Sequence, residues 1–175
     1  YHPDCIIIAC NTASTLVLPH LRARFAIPIV GTVPAIKPAA RLSTHGLFAV
    51  LATPGTVARD YTRALISDHA PQSNVVLVGA KRLAALAEAA LKGEAVDEEA
   101  VRSDIAPCFV TQPRADGGVA RTDVITLSCT HYPLLLPVFQ RVAPWPVMWI
   151  DPALAIARRV VQLMGAMRTR SREAG

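Results

Sequence analysis

Two cysteines in this chain stand where reactive sulfur would be expected. Cys10 and Cys129 each follow an apolar run that reads as a buried β-strand, residues 4–9 and 123–128, and each precedes a polar pair, Asn11-Thr12 and Thr130-His131. The carboxyl end of a buried parallel strand is where open α/β sheets bind ligands. Backbone N–H groups that start the next helix point toward the same space, so a carboxylate or a thiolate is favoured there. His131 stands close enough in sequence to hold the second thiol by hydrogen bonding or to lower its pKa. The expectation is therefore two reactive thiols, each capping a helix.

Two thiols on opposite sides of one carbon suit racemisation. One removes a proton from the stereocentre and the other supplies a proton to the opposite face, with the roles exchanged in reverse. An amino-acid Cα–H is a weak acid, so such a site must hold the carboxylate, exclude water and stabilise developing carbanion charge. Cofactor enzymes use an electron sink instead. The sequence offers no lysine in a Schiff-base setting and no glycine-rich phosphate cradle, so no cofactor is expected.

An internal repeat links the two sulfurs. The run Asp4-Cys5-Ile6-Ile7-Ile8-Ala9-Cys10-Asn11-Thr12 aligns without a gap on Asp123-Val124-Ile125-Thr126-Leu127-Ser128-Cys129-Thr130-His131. A proline and an arginine follow each cysteine (Pro19 and Arg22, Pro137 and Arg141), and a second strand begins near Pro28 or Pro146. A separation near one domain length points to two related βα units.

The elements that position these groups follow from patterning. Near-continuous apolar runs at residues 4–9, 27–30, 46–52, 74–79, 123–128 and 146–150 fit strands buried on both faces of a parallel sheet. Leu83, Leu86, Ala87, Ala90 and Leu91 recur at helical spacing before Gly93, and Asp97 caps an acidic first turn at Glu98 and Glu99. Asp151-Pro152 opens a last helix expected to end at Met164, before Gly165. Residues 107–122, with Pro113, Asp116, Gly117 and Gly118, read as a loop. The class is α/β.

Composition narrows the function classes. At 175 residues, 52% hydrophobic and 18% charged, the chain is neither disordered nor fibrous. Its apolar runs fall short of the roughly 18–20 residues of a membrane span. No secretory leader pattern opens it, and cytoplasm is the expected location. The formal charge of +5 is spread over scattered arginines and the tail Arg168, Arg170 and Arg172, without a nucleic-acid reader motif. The four cysteines form no CxxC pair and read as free thiols, with Cys5 and Cys108 as packing residues. His2, His20, His45 and His69 have no ligand spacing, so no metal site is expected.

The run Ala9-Cys10-Asn11-Thr12-Ala13-Ser14, together with Cys129-Thr130-His131-Tyr132-Pro133-Leu134-Leu135, resembles the paired signatures of glutamate racemases in the aspartate/glutamate racemase superfamily. The resemblance continues through Val30-Gly31-Thr32-Val33-Pro34, Ala52-Thr53-Pro54-Gly55-Thr56-Val57 and Trp149-Ile150-Asp151-Pro152. It implies cofactor-independent interconversion of L- and D-glutamate, supplying D-glutamate to peptidoglycan synthesis. It also implies Cys10 and Cys129 as the proton-transfer groups, Asn11, Thr12, Thr130 and His131 as substrate contacts, and Thr53 and Thr56 reaching the ligand from a third strand end. The family fold is two facing parallel-sheet α/β domains related by pseudo-symmetry. On that pattern residues 1–33 are the remainder of the first domain, 34–145 the second, and 146–175 a return to the first.

Some family features have no counterpart. The Asp-Ser segment with its glycine-rich turn and the Pro-Tyr-Gly segment are missing, and both would precede Tyr1, so the first domain reads as truncated at its N-terminus. Ser128 stands where the family commonly has glycine. A sister activity on aspartate or a hydantoin shares the cysteine pair, and an inactive or binding protein that retains the fold is the rival from another class. The small-molecule substrate is the expected partner. A homodimer is compatible with the sequence, which does not set the number of subunits.

Overall fold

The computed structural model describes residues 2–114 and 116–173, with side chains described as far as residue 166. It is a mixed α/β structure built on parallel strands. The side chains of Arg168, Arg170 and Arg172 lie outside the described residues.

The larger sheet has four parallel strands: β3 (Leu47–Ala52), β4 (Asn74–Gly79), β7 (Val124–Ser128) and β8 (Met148–Ile150), in the order β4-β3-β7-β8. Every residue of β3 is fully buried, as expected of a central parallel strand with helices on both faces. Alternation sorts its side chains into two cores. Ala49 and Leu51, with Ile125 and Leu127, face helices α5 (Leu83–Leu91), α6 (Glu98–Ile105) and α7 (Leu136–Val142). Phe48, Val50 and Ala52 face α2 (Ile36–Leu42) and α4 (Asp60–His69). Truncating Leu51 to alanine would cost about 2–5 kcal/mol, because a site walled on both sides cannot collapse.

The smaller sheet pairs β1 (Ile6–Ile8) with β2 (Ile29–Gly31), also in parallel. Helix α1 (Asn11–Arg24) connects them and packs on β2 through Leu18, so closely that a Cβ on Gly31 would fall 2.2 Å from the Leu18 side chain. The repeat seen in the sequence has a structural counterpart: each cysteine strand pairs in parallel with the strand that follows it, Ile6 with Ile29 and Val124 with Met148. The correspondence weakens beyond the cysteines. Helix α1 begins at once after Cys10, whereas a turn and a short 3-10 helix, Tyr132–Leu135, separate Cys129 from α7.

Strand β8 hydrogen-bonds to β7, so residues 148–150 complete the four-stranded sheet, and α8 (Ala153–Glu173) packs against β2. Two expectations change. The last helix starts as expected, with the Ala153 N–H donating to Asp151 Oδ1 at 2.9 Å, but it continues through Gly165. A single glycine costs a helix about 1 kcal/mol and does not by itself end it. Residues 107–122, expected as loop, hold the end of a 3-10 helix and an antiparallel hairpin, β5 (Thr111–Pro113) with β6 (Val119–Arg121). Gly117, at φ +82°, supplies the left-handed turn residue.

At the amino end of β7, Asp123 anchors the loop before β3. Its carboxylate accepts from the Ser43 and Thr44 hydroxyls and from the Thr44 and His45 N–H groups at 2.7–3.0 Å. Burial pushes its pKa upward, but these donors win and hold it below the ordinary carboxylate value.

Candidate active site

The two cysteines lie at the carboxyl ends of their strands in different settings. Cys10 is exposed and is the N-cap of α1, its Sγ accepting the Ala13 N–H at 3.4 Å. Cys129 is buried, with Sγ 3.8 Å from His131 Nδ1. Burial pushes its pKa up, the nearby Cys10 sulfur adds to that, and the backbone N–H groups of His131 and Tyr132 pull it part of the way back. The expected lowering of this thiol is therefore not found. The reason is desolvation: the sulfur is buried, and the two backbone N–H groups do not offset its loss of water.

The sheets meet beside these sulfurs. The Thr130 hydroxyl donates to the carbonyl of Ala9 at 3.4 Å, so the residue after one cysteine touches the residue before the other. A second link runs through hydroxyls. Thr12 Oγ1 lies 2.7 Å from Thr53 Oγ1 and 3.0 Å from Thr56 Oγ1, and these two are 3.1 Å apart. Thr53 caps the short helix α3 (Pro54–Val57) at the end of β3, and Thr56 is fully buried in it. Gly55 permits the approach, since a Cβ there would sit 3.0 Å from the Thr12 methyl.

Asn11 is 2% exposed, and neither its amide nitrogen nor its amide oxygen has a hydrogen-bond partner. An unpaired buried amide costs about 1–3 kcal/mol, and such groups call for an explanation, a ligand being one. A cavity of about 590 Å³ opens beside Cys129 and Thr130, walled by Ile7, Ala9, Thr32 and, from α8, Ile156 and Val160. Among the described residues no cluster of three or more His, Cys, Asp or Glu side chains could hold a metal ion, and no helix is long and apolar enough to cross a membrane.

Two supports of the site were not singled out in the sequence. Glu88 on α5 lies 2.7 Å from His131 Nε2, orienting the ring whose other nitrogen faces Cys129. Its signal was its isolation as the one charged residue of Leu83–Leu91. Ser14 and Thr32 fix the first strand end: both hydroxyls donate to the Ile8 carbonyl, and the Thr32 N–H donates to Ser14 Oγ. Ser128, in the place commonly held by glycine, is buried with its hydroxyl 2.9 Å from that of Thr126.

The fold is α/β, with two unpaired thiols at adjoining strand ends, Cys129 and Thr130 lining a cavity, and an unpartnered Asn11 amide in the turn of helix that follows Cys10. The Asp/Glu/hydantoin racemase family model matches residues 2–160, and the chain belongs to that family. It is 58% identical over 169 residues to the glutamate racemase of Brucella anthropi, covering 96% of this chain and 59% of that protein. The fold is similar to that of Escherichia coli glutamate racemase, solved with L-glutamate and the activator UDP-MurNAc-Ala, with a TM-score of 0.80 at 41% identity over 94% of this chain and 59% of the other. It is also similar to the Thermus thermophilus glutamate racemase solved with beta-chloro-D-alanine, at TM-score 0.67 and 25% identity over 94% of this chain and 57% of the other. The chain thus spans less than two thirds of the length of these relatives.

Proposed function

We propose that this chain carries both proton-transfer thiols of a cofactor-independent glutamate racemase, interconverting L- and D-glutamate and so supplying D-glutamate for peptidoglycan. The observation that carries the reading is the contact between Thr130 and the Ala9 carbonyl, which brings the two cysteine-bearing strand ends together beside one cavity. The similarity to proteins described as glutamate racemases supports glutamate as the substrate.

In the reaction, one sulfur takes the Cα proton as thiolate while the other, as thiol, delivers a proton to the opposite face. No net proton is consumed, and the pair finishes with its roles exchanged. Burial favours the thiol form of Cys129, which suits it to begin as the acid in one direction. Asn11 offers a buried donor and acceptor to the carboxylate and ammonium groups of the amino acid. Thr130 supplies a hydroxyl to the cavity, Thr12 is held at the start of α1 by Thr53 and Thr56, and His131, steadied by Glu88, orients the Cys129 sulfur.

Residues 1–33 and 146–175 form part of one α/β domain in this reading, and residues 34–145 form the second, facing it across the site. The protein is placed in the cytoplasm, where its four unpaired thiols stay reduced, and a homodimer is the assembly to test by sedimentation.

The test is proton exchange in heavy water with the chain in its full-length protein. Deuterium is expected at Cα of glutamate, with chiral chromatography showing both enantiomers and no turnover of aspartate or a hydantoin. Cys10→Ser and Cys129→Ser should each slow racemisation by about 10²–10⁴-fold, the usual loss for an acid/base group. Full activity in either variant, or no exchange in the parent protein, would refute the assignment.

A further inference from the structure

Tyr132 has no assigned part in the site, yet it is fully buried three residues from Cys129. Its hydroxyl donates to the Ala80 carbonyl at 3.3 Å, and its N–H donates to the Cys129 carbonyl at 3.1 Å. Ala80 follows β4, and its N–H donates to the carbonyl of Ala52, the residue before Thr53, at 2.8 Å. Thr53 in turn meets Thr12, two residues beyond Cys10. A line of hydrogen bonds therefore joins the turn after Cys129 to the strand ends that position α1. That turn also carries the His131 ring, whose Nδ1 lies 3.8 Å from the Cys129 sulfur, and its backbone N–H groups favour the ionised form of that sulfur. Burial lifts the phenol's own pKa well above its ordinary value, so its hydroxyl stays a donor across the range in which thiols titrate.

We propose that Tyr132 is a positioning residue for Cys129: its hydroxyl moors the turn to Ala80 and so holds the turn's backbone and the His131 ring in place beside the sulfur. This deepens the racemase reading and rests on it for its meaning in catalysis. Its prediction for the sulfur itself does not. The other groups that bear on the pair are Cys10, His131 with Glu88, Cys108, and Asp104 on α6, and all of them stay in place when the hydroxyl alone is removed.

The experiment is the pH dependence of iodoacetamide alkylation, read at each cysteine by peptide mass spectrometry on the folded chain. In Tyr132→Phe the Cys129 midpoint should rise by about half a pH unit, which is about threefold slower alkylation below the midpoint, while the Cys10 midpoint stays put. Ala80→Gly, which loosens the acceptor end of the same bond, should move Cys129 in the same direction and keeps the proposal testable if Tyr132→Phe does not fold. Phe139→Leu, a loss of packing in the same core, should lower the melting temperature and leave the midpoint alone. An unchanged Cys129 midpoint in both turn variants overturns the proposal, as does an equal shift in Phe139→Leu. Alkylation reads the sulfur whether or not the protein racemises glutamate, so the two readings can fail separately.

Discussion

Thr12 and Thr53 meet hydroxyl to hydroxyl at 2.7 Å, joining the helix that starts at Cys10 to the end of the central strand of the other sheet. Thr56 closes the triangle, and its carbonyl accepts the Thr62 hydroxyl at 2.7 Å. A double-mutant cycle on Thr12→Val and Thr53→Val should give a coupling energy of about 0.5–1.5 kcal/mol in thermal or urea unfolding. Gly55→Ala should disturb the same contact by pushing on the Thr12 methyl, raising KM for glutamate more than it lowers stability.

Asn11 separates binding from stability. Its unpaired amide is a liability in the empty fold, so Asn11→Leu should hold or raise the melting temperature. Glutamate binding should weaken about 10- to 100-fold, the worth of a lost hydrogen bond to a charged group. Calorimetric titration and thermal unfolding of the same variant check both signs, and a variant that binds glutamate normally would remove Asn11 from the site.

Glu88→Gln should affect rate more than stability. The Glu88 and His131 side chains are 49% and 39% exposed, and a polar contact so open to water is worth under about 1 kcal/mol. Its loss frees the imidazole to turn away from Cys129. We expect kcat to fall about tenfold with little change in Tm, and its pH profile to move, as measured by coupled assay across the neutral and alkaline range.

Alkaline stability should carry the mark of Cys108. Burial pushes this thiol from its ordinary 9.0 up to about 12. Because the fold keeps it protonated while the unfolded chain releases the proton, its contribution is whole below pH 9.0 and declines as pH rises toward about 12. The slope is at most about 1.4 kcal/mol per pH unit for one proton. Urea titrations in that range should show a shallower decline for Cys108→Ala than for the parent, after its constant packing loss is subtracted.

Much of this architecture was legible in the residues. Six apolar runs became strands, and the two central ones, β3 and β7, are buried throughout between covering helices, whereas β1 and β8 leave Ile6, Ile7 and Met148 exposed. Asp97 and Asp151 announced helix starts through local hydrogen bonds that need no distant partner. The hairpin at Thr111–Arg121 was missed because its short strands are mostly exposed and lack an apolar run. The continuation of α8 past Gly165 was missed because glycine weakens a helix without forbidding it.

The sequence by itself determined which chemistry was on hand: two thiols at strand ends, their polar neighbours, and a repeat relating them, all of which follow from composition and local periodicity. Only the tertiary structure decided how those groups are tuned. It placed β8 beside β7, met Thr12 with two hydroxyls from another strand end, set Glu88 on His131, and buried Cys129 while leaving Cys10 exposed. Ionisation and orientation depend on which distant side chains exclude water or donate a hydrogen bond, and chain folding alone brings those together.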